Sequence, residues 1–127
     1  MSYVKRAVLD NFKNNLKPNK VLVLLGARRV GKTQLIKKYL ETVEEKVLQL
    51  NGEDLNDARL LEERTLENYT RLFQNIGLLV IDEAQAVQDI GLILKFIVDH
   101  IEGIKVIATG SSMFDLANKL GEPLVGR

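Results

Sequence analysis

The chain contains no cysteine and no tryptophan, only two prolines and a single histidine. Without thiols there is neither a disulfide nor a thiolate metal site, a usage compatible with a cytoplasmic protein. Charge of one sign is also missing, since eighteen Lys plus Arg against seventeen Asp plus Glu leave a formal +1. No global field therefore draws the molecule to nucleic acid or to an anionic membrane, and any polyanion contact must be local. Long apolar runs are absent: residues 21–25, Val-Leu-Val-Leu-Leu, are typical, where a membrane helix needs roughly 20. No membrane association is expected. Residues 1–6, Met-Ser-Tyr-Val-Lys-Arg, carry early charge but lead into no apolar stretch or cleavage site, so no secretory signal is read there. There is no internal repeat and no low-complexity segment.

What remains is 127 residues, 46% hydrophobic and 28% charged, enough for one globular domain with a real core. The order of elements is informative. Residues 2–16 place Val4, Val8, Phe12 and Leu16 four apart, which predicts an amphipathic helix ending before Lys17-Pro18-Asn19. Residues 21–25 are too short for a helix and read as a strand buried on both faces. A helix with Leu35, Ile36, Tyr39, Leu40 and Val43 inward follows, then a weaker strand over 46–50 and a polar loop, Asn51-Gly52-Glu53-Asp54. Helices are expected over about 55–62 and 65–76, a third strand over 78–81 ending on Asp82-Glu83, and a helix over 89–101. A fourth strand over 104–109 and a last helix over 113–120 complete the pattern. Strands alternating with helices predict an α/β fold, a parallel sheet covered on both sides, with ligands at the carboxyl ends of the strands. The segments 1–19 and 20–127 are read as an N-terminal helix with linker and the α/β core.

The first strand runs into Gly26-Ala27-Arg28-Arg29-Val30-Gly31-Lys32-Thr33, the spacing of a phosphate loop between a strand and a helix. Glycines let successive N–H groups curl around phosphates. The helix expected to start near Gly31 adds unpaired N–H groups and the positive end of its dipole. Lys32 reaches the β and γ phosphates, and the Thr33 hydroxyl is a hard ligand for Mg²⁺. Gly26 to Thr33 with Gln34 form the expected nucleotide cradle. An ordinary strand-to-helix turn is the plain alternative, but at usual residue frequencies a chance match arises on the order of once in a few hundred such chains. Arg28 and Arg29 are either phosphate, base or partner contacts, or solvated loop residues.

Four apolar residues lead into Asp82-Glu83. An aspartate there would hold Mg²⁺ through its water shell, and a following glutamate would align the attacking water; the alternative is a loop opening or helix cap. Thr109-Gly110-Ser111-Ser112 ends the fourth strand. Thr109 is the expected sensor of nucleotide state, with Ser111 second to it, while Ser111 or Ser112 could equally be a helix N-cap. His100 reads as a helix-end residue meeting the dipole, and Lys37-Lys38 and Glu44-Glu45 as solvated faces.

With those residues in view, the chain resembles the AAA-type branch of P-loop ATPases, and within it prokaryotic ATPases that continue into a C-terminal nuclease-like domain. The resemblance rests on residues 25–33, on Ile81-Asp82-Glu83-Ala84-Gln85, on Ala108-Thr109-Gly110-Ser111-Ser112 and on the closing Leu124-Val125-Gly126-Arg127. It implies the sheet order 5-1-4-3-2 and ATP with Mg²⁺ as ligands. It also implies a fifth strand and a lid lying beyond Arg127, so the first strand is expected to be an unpaired edge open to self-association. Arg127 would match an arginine that precedes the fifth strand and reaches a neighbour's nucleotide. Three functions follow: an ATPase that changes the shape of an attached domain or partner, a nucleotide-dependent binding module without turnover, and a small-molecule kinase, which lacks an acceptor lid. Mg-GTP is the alternative ligand, but no guanine-reading Asn-Lys-x-Asp motif is present.

Overall fold

A computed structural model describes residues 13–25, 29–110 and 123–125 of the chain, with the backbone alone described at 25, 29–34 and 123–125. Residues 13–15 are helical. The chain then runs through β1 (Lys20–Leu25), α1 (Arg29–Leu40), β2 (Val47–Asn51), α2 (Leu55–Glu62), α3 (Leu66–Leu72), β3 (Leu78–Asp82), a 3-10 turn (Ala84–Ala86), α4 (Ile90–His100), β4 (Lys105–Gly110) and β5 (Pro123–Val125). The strands form one sheet in the order β2-β3-β4-β1-β5, every described pairing being parallel.

The period of two in the strands explains the layers. Val21 and Val23 of β1, Leu79 and Ile81 of β3, and Val106 and Ala108 of β4 face one core, with Ala58 and Leu61 of α2, Tyr69 of α3 and Ile93, Leu94 and Ile97 of α4. The intervening Leu22, Leu24, Leu78, Val80 and Ile107 face the other, against Leu35, Ile36 and Tyr39 of α1 and Leu16. Both faces are thus covered, as uninterrupted apolar strands require. The two helices after β2 are capped locally. The Asp54 carboxylate accepts from the amides of Asn56 and Asp57, and the Thr65 hydroxyl from that of Asn68, satisfying amides that the first turn of a helix leaves open.

Several expectations need correction. The fifth strand is not missing: Pro123, Leu124 and Val125 pair with Val23, Leu24 and Leu25. The first strand is therefore an interior strand over that stretch, and the expected route to self-association through its edge is withdrawn. The reason is that the stretch after β4 returns to β1 before Gly126, with proline at the first position of the strand, where its lack of an N–H is tolerated. Arg127 consequently follows the strand that flanks β1 and does not precede it. Arg127 itself, the expected helix over 113–120 and most of the expected helix over 2–16 lie outside the described residues.

The linker is also more firmly held than its composition suggests. Asn19, at φ 59°, donates through Nδ2 to the carbonyls of Val98 and Ile101, both at 2.8 Å, and its Oδ1 accepts from Gly103 N–H at 2.8 Å. The turn before β1 is thereby tied to the turn between α4 and β4. Glu45 is likewise no simple solvated residue, because its carboxylate pairs with Lys105 at 3.5 Å.

Candidate active site

The register brings the polar strand ends level. Leu25 at the end of β1 lies beside Gly110 of β4, Ile81 of β3 beside Ala108, and Asn51 of β2 beside Asp82. The strand that enters the glycine loop and the strand that ends in the acidic pair are separated by β4 alone. Helix α1 begins at Arg29, two residues before Gly31 and four residues after Leu25 ends β1. Its first amides therefore stand at the same edge as the acids, where the helix dipole presents its positive end.

At that edge Asp82 is the last residue of β3 and partly exposed, while Glu83 is only 2% exposed. Glu83 adopts the left-handed conformation, φ 51° and ψ 50°, a geometry that costs an L-residue roughly 1–2 kcal/mol. Surrounding contacts hold it there. Its N–H donates to Thr109 Oγ1 at 3.0 Å, and its carboxylate Oε1 accepts from Gln85 Nε2 at 2.9 Å. Its carbonyl accepts from Ala86 N–H at 3.1 Å, closing the 3-10 turn. The Thr109 hydroxyl, fully buried, gives its own proton to the Asp82 carboxylate. One hydroxyl thus joins the carboxylate of one acid to the backbone of the next.

Of the residues expected at the site, Asp82, Glu83 and Thr109 are brought together in one hydrogen-bonded group. Gly26, Ala27 and Arg28 lie outside the described residues, as do Ser111 and Ser112. Arg29, Val30, Gly31, Lys32, Thr33 and Gln34 form the first turns of α1, and their side chains are outside the description. Gly52 and Gln85 were not singled out by sequence reasoning. The available signals were slight: a glycine directly after a strand end, and a glutamine two residues beyond an acid at a tight turn. His100 sits at the end of α4, its Nδ1 2.9 Å from the Phe96 carbonyl and its ring stacked on Phe96 at 4.2 Å, as a helix-end residue should.

The donor set at this edge suits a hard cation. Among the described residues it offers carboxylate and hydroxyl oxygens, and no group of three or more His, Cys, Asp or Glu residues is placed to hold a metal by itself. Mg²⁺ fits that pattern, since it is usually bound by one or two protein oxygens together with phosphate and water. Among the described residues no helix is long and apolar enough to cross a membrane.

No curated protein matches the chain in sequence. In structure it is similar to the crystal structure of a DNA replication initiation factor, with a TM-score of 0.63 and 14% identity, over 95% of this chain and 44% of that one. The likeness is one of fold, and the chain spans less than half of the other protein's length. The family model described as AAA domain matches residues 18–127, from the turn before β1 through β5. A parallel sheet in this strand order, a glycine loop entering α1 and an acid pair two strands away are the parts of a nucleotide-binding ATPase-type core, and the chain belongs to the AAA domain family.

Proposed function

We propose that this chain binds Mg-ATP at the carboxyl edge of its sheet and hydrolyses it, using the free energy to change the shape of an attached domain or partner. The observation that carries the reading is the buried Glu83, held in a strained backbone beside Asp82 at the edge where the glycine loop enters α1. Strain of this kind, kept by surrounding contacts, is typical of functional positions. Residues 26–34 bind the phosphates through backbone amides, with Lys32 reaching the β and γ oxygens. Thr33 and Asp82 would hold the Mg²⁺ ion. When bound, the ion supplies positive charge that neutralises the phosphate oxygens. Glu83 aligns a water for in-line attack and accepts its proton. ATP is preferred to GTP because no guanine-reading motif is present.

A second reading, a nucleotide-dependent binding module with negligible turnover, is favoured by one contact. Glu83 is engaged by Gln85 and shielded from solvent, so the carboxylate is held away from bulk water in this state. The two readings part on phosphate release by the full-length protein. Under the first, Glu83→Gln retains Mg-ATP and loses hydrolysis, while Lys32→Ala loses affinity. Equal turnover by Glu83→Gln and the parent would reject the assignment of Glu83, and saturable binding with no hydrolysis in the parent would select the module. The boundary near residue 19, and a nuclease-like domain following this core, belong to the same proposal. Limited proteolysis of the full-length protein tests both.

A further inference from the structure

The peptide group that joins Asp82 to Glu83 is held at both of its polar ends. Its carbonyl oxygen accepts from Gly52 N–H at 2.7 Å, and its N–H donates to Thr109 Oγ1 at 3.0 Å. Because β3 lies between β2 and β4, the two grips come from opposite sides of the strand. A planar peptide fixed at both ends restricts the rotation entering Glu83, where φ is 51°.

Gly52 adds a second constraint through what it lacks. A Cβ built on it would overlap the Glu83 carbonyl oxygen and lie 3.1 Å from both the Glu83 carbonyl carbon and Val87 Cγ2. Gly52 is not among the residues with positive φ, so glycine serves here for close approach and not for backbone freedom. The obstacle is backbone, which cannot rotate out of the way. Glu83 can take its left-handed turn over the end of β2 only because no side chain stands there.

We propose that Gly52 and Thr109 are positioning residues that clamp the Asp82–Glu83 peptide from the two neighbouring strands and so aim the Glu83 carboxylate. Thr109 acts through the two acids, with its proton on Asp82. It takes this part in place of direct sensing of nucleotide. The inference rests on the reading of Glu83 as the water-aligning group.

The test uses the full-length protein with three readouts: ATP turnover, Mg-ATP affinity and hydrogen exchange of the Glu83 amide. Gly52→Ala and Thr109→Val should each lower kcat by about 100-fold, the scale expected of a misplacement near 1 Å, with Mg-ATP affinity retained. Thr109→Ser, which keeps the hydroxyl, should restore turnover, and Thr109→Val should speed exchange at the Glu83 amide. In a Glu83→Gln background Gly52→Ala should cost no further turnover, because the two changes act on one group. Parent-like kcat in a folded Gly52→Ala or Thr109→Val protein overturns the clamp. Should Gly52→Ala fail to fold, the contrast between Val and Ser at position 109 decides. If Glu83→Gln itself turns over like the parent, the catalytic reading fails separately, and unaltered amide exchange in Thr109→Val then rejects the clamp.

Discussion

At Glu83 one residue carries a buried carboxylate, a left-handed backbone and hydrogen bonds with Thr109, Gln85 and Ala86, which together leave little freedom in where its side chain can point. If Glu83 is the proposed general base, a contribution that is typically about 10²- to 10⁴-fold, Glu83→Gln should lower turnover by about that range with nucleotide binding kept. Phosphate release measured beside fluorescent-nucleotide titration checks both halves. Asp82→Asn should instead weaken the Mg²⁺ dependence of binding, by about 10- to 100-fold in metal affinity, seen by titrating Mg²⁺ at fixed nucleotide. Asp82, Glu83 and Thr109 were legible in the sequence because each stands at the carboxyl end of an apolar run, and the parallel order alone puts strand ends together. Gly52 and Gln85 were not, since their importance lies in what stands opposite them, and spacing along the chain carries no such information.

The elements were legible where periodicity and chain breaks agreed. The two-sided burial of β1, β3 and β4 follows from uninterrupted apolar runs, and α2 was expected over the same eight residues that it occupies. The three-residue β5 was missed because a Pro-Leu-Val stretch is too short to show any period, and its pairing with β1 is decided by the sheet. Helix α3 illustrates how a single side chain fastens one element to the next. Tyr69, fully buried, donates its hydroxyl to the Leu61 carbonyl of α2 at 2.5 Å and stacks on Phe73 at 5.8 Å. Tyr69→Phe leaves that carbonyl buried without its donor and should destabilise the fold by about 1–3 kcal/mol, read from the denaturant midpoint. Burial foremost, with Glu63 adding and Arg64 opposing, pushes the Tyr69 phenol up from 10.0 to about 12. The folded state favours the neutral form, so this contribution is complete below pH 10 and is lost as the pH rises through about 12. Unfolding curves recorded across that window should fall more steeply for the parent than for Tyr69→Phe.

Across the molecule, the sheet owes its continuity to β1, which is paired on one side along its whole length by β4 and on the other at Val23 to Leu25 by β5. Removing residues 123–127 should expose the edge of an apolar strand and increase concentration-dependent association, measured by light scattering. A scattering mass unchanged by that deletion would show that something else covers the strand.

At the opposite rim β2 pairs, among the described strands, with β3 alone, and the residue after it, Gly52, lies under the Glu83 carbonyl. The outermost strand of the sheet is consequently one residue away from the proposed water-aligning group. A partner that tugged on this rim, or a neighbour that braced it, would be felt at the carboxylate without touching the nucleotide, giving the fold a short mechanical lever between its flank and its chemistry.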